Sequence, residues 1–189
     1  MRLGSRVSLP SAQALIGLVL AAVLGGALLL FLPRGQTACA GPGCAPLSTS
    51  ATGWVLPRLG GSGTVSLSEF RGSPVVASFF ASWCTACHDE LPQFVALARE
   101  LPQVHFVGID SEEYGDGLSL ARSTGITAWP LASDVDGSDR DGLHQSLTAE
   151  PGLPITAIYD SSGHLRSVRV GAETGDELHA TLQQLFGLR

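Results

Sequence analysis

Pro74-Val75-Val76-Ala77-Ser78-Phe79-Phe80-Ala81-Ser82-Trp83-Cys84-Thr85-Ala86-Cys87-His88-Asp89-Glu90-Leu91-Pro92 joins a short apolar run to a pair of cysteines. The run begins after the turn residues Gly72 and Ser73 and is rich in residues that favour strands. Past the cysteines, Leu91, Phe94, Val95, Leu97, Ala98 and Leu101 recur three and four apart, the spacing of one helix face. Cys84 and Cys87 therefore lie where a buried strand hands over to a helix. Two thiols so placed in a first helical turn can close a small disulfide ring and reopen it, because the helix holds both partners.

The start of a helix has unpaired N–H groups and the positive end of the macrodipole. Both favour a thiolate, so Cys84 is the expected attacking sulfur and Cys87, one turn deeper, the resolving one. The same letters, Cys84-Thr85-Ala86-Cys87-His88, also spell a c-type haem attachment site with His88 as axial ligand. Against haem stand the strand fused in front, the long amphipathic helix behind, Trp83 directly before the motif, and Met1 as the only methionine. A structural disulfide is a further alternative, as is a zinc site in which Cys39 and Cys44 fold back onto Cys84 and Cys87.

At 189 residues the chain suits one domain with extras. It has no lysine; its 11 basic residues are all arginine, against 17 acids, for a net charge of −6. Three of those arginines and none of the acids fall in residues 1–35, so the rest of the chain is more acidic still and a poor partner for nucleic acid. Residues 12–32 form an uncharged apolar run long enough to cross a bilayer, where about 20 residues suffice. Arg2 and Arg6 before it favour a cytoplasmic N-terminus, residues 1–11, with the remainder outside. A retained anchor is expected over a cleaved signal ending at Ala38-Cys39-Ala40 or a lipoprotein cysteine at Cys39. Residues 33–53 read as a flexible linker of small residues and proline. Cys39 and Cys44 within it are expected to form a local disulfide, with a second redox relay as the functional alternative.

Residues 54–189 then form the domain. Residues 54–59 and 64–67, joined by Gly60-Gly61-Ser62-Gly63, read as a hairpin, and 68–72 as a helical turn. Strand 75–80 and the cysteine helix, kinked at Pro92, lead to strand 104–110. Residues 118–123 read as a helix ended by Gly125, and 129–132 as a short strand. The acid-rich stretch 134–142 fails the calcium-loop spacing, with Asp139 where glycine is required, and reads as a solvated turn. A short helix at 143–147, a hairpin of 155–160 with 165–170, and an amphipathic helix at 174–186 with Leu178, Leu182, Leu185 and Phe186 inward complete the chain. The result is a mixed sheet with helices on both faces.

Several motifs together resemble the thioredoxin fold, and within it the membrane-anchored TlpA/ResA/CcmG group of extracytoplasmic thiol–disulfide oxidoreductases. They are Val65-Ser66-Leu67-Ser68-Glu69-Phe70-Arg71-Gly72, the approach Ala81-Ser82-Trp83-Cys84, then Cys87, Glu90, Pro92 and Gly152-Leu153-Pro154. The resemblance implies an α/β, thioredoxin-like three-layer sandwich with a mixed central sheet and an N-terminal β-hairpin extension. It implies a cis peptide before Pro154, which would lie against the cysteines and leave the Leu153 backbone free to pair with a substrate peptide. Trp83, Leu153 and Pro154 would form the docking surface. Thioredoxin's buried aspartate is replaced by Ser78, so Glu90 becomes the candidate proton acceptor for Cys87, the alternative being a charge that supports the helix start. His88 is either a tuner of the thiolate or simply exposed. The implied partners are proteins with thiols or disulfides, apocytochrome c among them, and a membrane electron donor of the CcdA/DsbD type. A monomer is expected, with neither cofactor nor metal. Oxidative folding of exported proteins and a non-catalytic binding module are the alternatives.

Overall fold

The computed structural model describes residues 47–134, 137 and 141–188. The apolar run 12–32, most of the linker, and Cys39 with Cys44 lie outside those residues. Among the described residues, no helix is long and apolar enough to cross a membrane.

The core is a five-stranded sheet in the order β5-β4-β3-β6-β7. Its strands are β3 (Val75–Phe80), β4 (His105–Ser111), β5 (Leu131–Asp134), β6 (Ile155–Tyr159) and β7 (Leu165–Val170). β3, β4 and β5 run parallel, β6 is antiparallel to β3, and β7 is antiparallel to β6. β3 is central and buried at all six positions, which is why it reads as a mostly apolar run broken only by Ser78. A separate hairpin pairs β1 (Val55–Pro57) with β2 (Thr64–Ser66). A 3-10 turn follows at Leu67–Phe70, its start fixed by a capping box between Ser66 and Glu69.

The alternation of side chains along β3 divides the core between the two faces of the sheet. Val75, Ala77 and Phe79 pack with Ile155, Ala157 and Tyr159 under the hairpin and under the short helix α3 (Leu143–Leu147). Val76 packs on the opposite face with Phe94 and Leu97 of α1 (Thr85–Glu100) and Leu178 and Leu182 of α4 (Gly175–Phe186). Phe80 meets both cysteines, Leu91, and Leu120 and Ala121 of α2 (Gly117–Thr124). This is the expected three-layer arrangement.

Three details differ from the sequence reading. The strand expected at 129–132 begins at Leu131, because Ile126–Ala128 forms a 3-10 turn that Trp129 closes through its N–H to the Ile126 carbonyl. The Trp129 ring instead packs on Phe106, with centroids 5.3 Å apart. β4 starts at His105, since the Val104 N–H is used in a turn to the Leu101 carbonyl. Asp134 is 1% exposed and is no solvated turn residue. Its carboxylate accepts the Leu143 and His144 N–H groups at 2.8 and 2.9 Å and so caps α3. Gly125 ends α2 as expected, in the left-handed conformation at φ 84°.

Candidate active site

The strand-to-helix junction places the two sulfurs together: Cys84 and Cys87 are joined in a disulfide. Cys84 is the N-cap of α1 and its Sγ accepts the Cys87 N–H at 3.2 Å. The cysteines thus lie at the expected hand-over from strand to helix, with Cys84 nearer the helix start. Cys87 is fully buried against Phe80, Leu91 and Ala121. That packing leaves no room for a porphyrin edge beside its sulfur, so the site does not fit a c-type haem. His88 is exposed, with Nε2 3.3 Å from the Ser82 carbonyl oxygen.

The Leu153–Pro154 peptide bond is cis. Leu153 packs on the cluster that contains both cysteines, so the loop before β6 lies against the start of α1. Trp83, directly before Cys84, is 36% exposed. Its indole N–H donates to the Glu112 carbonyl at 2.9 Å, and its ring stacks on Tyr114 with centroids 5.6 Å apart. Tyr114 is 81% exposed, a member of the aromatic ledge that sequence reasoning missed.

Glu90 is 2% exposed, one turn beyond Cys87 on the same helix. Burial pushes its carboxyl up to about 7; the Glu173 N–H opposes that rise and the Glu173 charge adds to it. It is thus no exposed charge at the helix start, because α1 carries it inward against the loop between β7 and α4. Glu173, 5% exposed, is itself raised by burial, which outweighs the attraction of the Arg169 guanidinium.

A second group of acids, also missed, lies ahead of Cys84. Glu113 accepts both the N–H and the hydroxyl of Ser82, and the N–H groups of Tyr114 and Gly115. Burial works to raise its carboxyl, but those donors outweigh it and hold Glu113 below the ordinary range. Asp110, 4% exposed at the end of β4, is pushed up to about 7 by burial and by Glu113 beside it. Further back, the buried His144 ring faces the Glu112 carboxylate and hydrogen-bonds the Glu150 carbonyl at 3.0 Å. Local spacing does not mark these acids, since Ser82 and His144, which meet Glu113 and Glu112, come from other parts of the chain.

The chain is similar to several known proteins. The chain is 28% identical to the thiol-disulfide oxidoreductase ResA of Oceanobacillus iheyensis over 65% of its own length, and spans 62% of that relative. It is 28% identical to the thiol:disulfide interchange protein DsbE of Pseudomonas fluorescens biotype C, over 69% of this chain and 72% of that one. Among solved structures, it is similar to a secreted Mycobacterium tuberculosis disulfide oxidoreductase described as homologous to E. coli DsbE. There the TM-score is 0.59 at 21% identity, covering 71% of this chain and 97% of that one, which bears on fold alone. A family model described as the AhpC/TSA family matches residues 48–168, more than half of the chain, and the chain accordingly belongs to that family.

Proposed function

We propose that the protein exchanges disulfides with exported proteins on the outer face of a membrane, held there by residues 12–32, and that it works as a reductant, with apocytochrome c cysteines as a substrate class. The observation that carries the exchange chemistry is the Cys84–Cys87 disulfide at the N-terminus of α1, with the Cys87 N–H aimed at Cys84 Sγ. On reduction, that amide and the helix dipole stabilise a Cys84 thiolate. The thiolate attacks a substrate disulfide and one substrate sulfur leaves. Cys87 then attacks the Cys84–substrate bond. The Cys84–Cys87 bond forms, the second substrate sulfur departs with the electron pair as a thiolate, and the Cys87 proton passes to Glu90. Trp83, Leu153 and Pro154 supply the docking surface, on which the Leu153 backbone can pair with an extended peptide.

Support for the location is the uncharged run 12–32 behind Arg2 and Arg6. A donor of the CcdA/DsbD type would return the protein to its dithiol form, and Cys39 with Cys44 would close a local disulfide in the linker. The direction of electron flow follows from the potential of the pair relative to its partners. Equilibrating the full chain in glutathione or dithiothreitol series measures it. A strongly reducing potential is expected; an oxidising one would replace reduction by oxidative folding of exported proteins.

A further inference from the structure

Behind Cys87 the fold brings a second carboxylate to the one visible in the helix. Glu90 comes from α1, and Glu173, 83 residues later, from the loop before α4. The Glu173 N–H donates to Glu90 Oε2 at 2.8 Å, fixing one carboxylate against the backbone of the other residue. Oε1 of each carboxylate is buried without a protein partner. Below them, Ser78 and Thr156 are register partners on β3 and β6, and their hydroxyls are also buried and unpartnered. The cation facing the pair is Arg169 of β7, with Nε 3.8 Å from Glu173 Oε2, and it is shared with Glu177 of α4 at 3.9 Å. Asp89 of α1 and Glu177 are the other charged groups at this place. A cleft of about 200 Å³, bounded by Ala86, Gln93 and Thr174, is lined by both residues. Two buried acids facing one shared, part-exposed arginine resist being charged together.

We propose that Glu173 is a positioning residue of the redox site: its backbone amide fixes the Glu90 carboxylate, and its own buried charge makes Glu90 a better proton acceptor for Cys87 than Glu90 would be alone. This rests on the proton-acceptor role of Glu90 given above. When Cys87 attacks the mixed disulfide, its proton moves to Glu90. The proton then leaves through the cleft to water or to the departing substrate thiolate, so one proton and one electron pair are accounted for in each resolution.

The test is Glu173→Gln in the full-length chain, a near-isosteric change that keeps the backbone amide and removes only the charge. Titration of the Glu90 carboxyl carbon by NMR is expected to move its midpoint to lower pH by about one unit. The pH limb of mixed-disulfide resolution is expected to move the same way, and Glu173→Asp, which keeps the charge, to move it less. In a Glu90→Gln background, Glu173→Gln should leave the limb where Glu90→Gln alone puts it. An NMR midpoint that stays put overturns the coupling while leaving Glu90 as acceptor. A midpoint that moves while the limb does not overturns Glu90 as acceptor, and the proposal with it.

Discussion

Asp110 with Glu113 ahead of Cys84, and Glu90 with Glu173 behind Cys87, are both pairs of acids, and in each the deeper member is raised to about 7. They are held in different ways. Glu113 receives four donors from Ser82, Tyr114 and Gly115, which fix it in the charged form, and that charge keeps the proton on Asp110. Asp110 is also closed over by α2: a Cβ on Gly117 would lie 2.3 Å from its carboxylate. Glu90 has one donor, an unpartnered oxygen and a cleft beside it. Similar titration therefore serves two ends. One pair clamps Ser82, the residue that leads into Trp83 and Cys84, and the other can take up and release a proton one turn from Cys87.

Cys84→Ser or Cys87→Ser is expected to lower turnover in insulin reduction by at least about 10³-fold; activity retained in either variant would remove the redox site. Iodoacetamide should label Cys84 before Cys87 in the reduced protein, since Cys87 is the fully covered sulfur. Glu90→Gln should slow mixed-disulfide resolution at neutral pH by about 10²-fold and move its pH limb upward, as expected for loss of a general base. Glu113→Gln should leave that limb in place, so equal effects from the two variants would break the contrast.

The clamp should show itself in stability. Glu113→Gln replaces the charged acceptor of Ser82 with a neutral one and should cost about 1 kcal/mol in denaturant unfolding. Gly117→Ala should cost roughly 1–3 kcal/mol, because its methyl has no space against Asp110. The smallest effect is on pH dependence. A carboxyl at about 7 in the folded chain and 4.5 in its ordinary state makes folding bind an extra proton between those values. Glu90 therefore contributes stability that is complete below pH 4.5 and is lost as pH rises through 7. Melting curves at pH 5 and 8 should differ less in Glu90→Gln than in the parent.

The cysteine pair, the strand before it and the helix after it were legible because each is local: a buried run, a 3.6-residue period, and a cap separated from its partner by a few residues. The same holds for α3, for the β6–β7 hairpin and for the glycine that ends α2. Trp129 was misplaced because a 3-10 turn and packing on Phe106 override its preference for a strand. Asp134 was misjudged because its partners, Leu143 and His144, lie nine and ten residues away. Sequence by itself determined which residues carry sulfur chemistry and that Glu90 stands one turn from Cys87. Tertiary structure alone decided that Glu90 meets Glu173 and that Glu113 grips Ser82, because burial and hydrogen-bond partners are contributed by elements distant in the chain, and burial and partners set when a carboxylate gives up its proton.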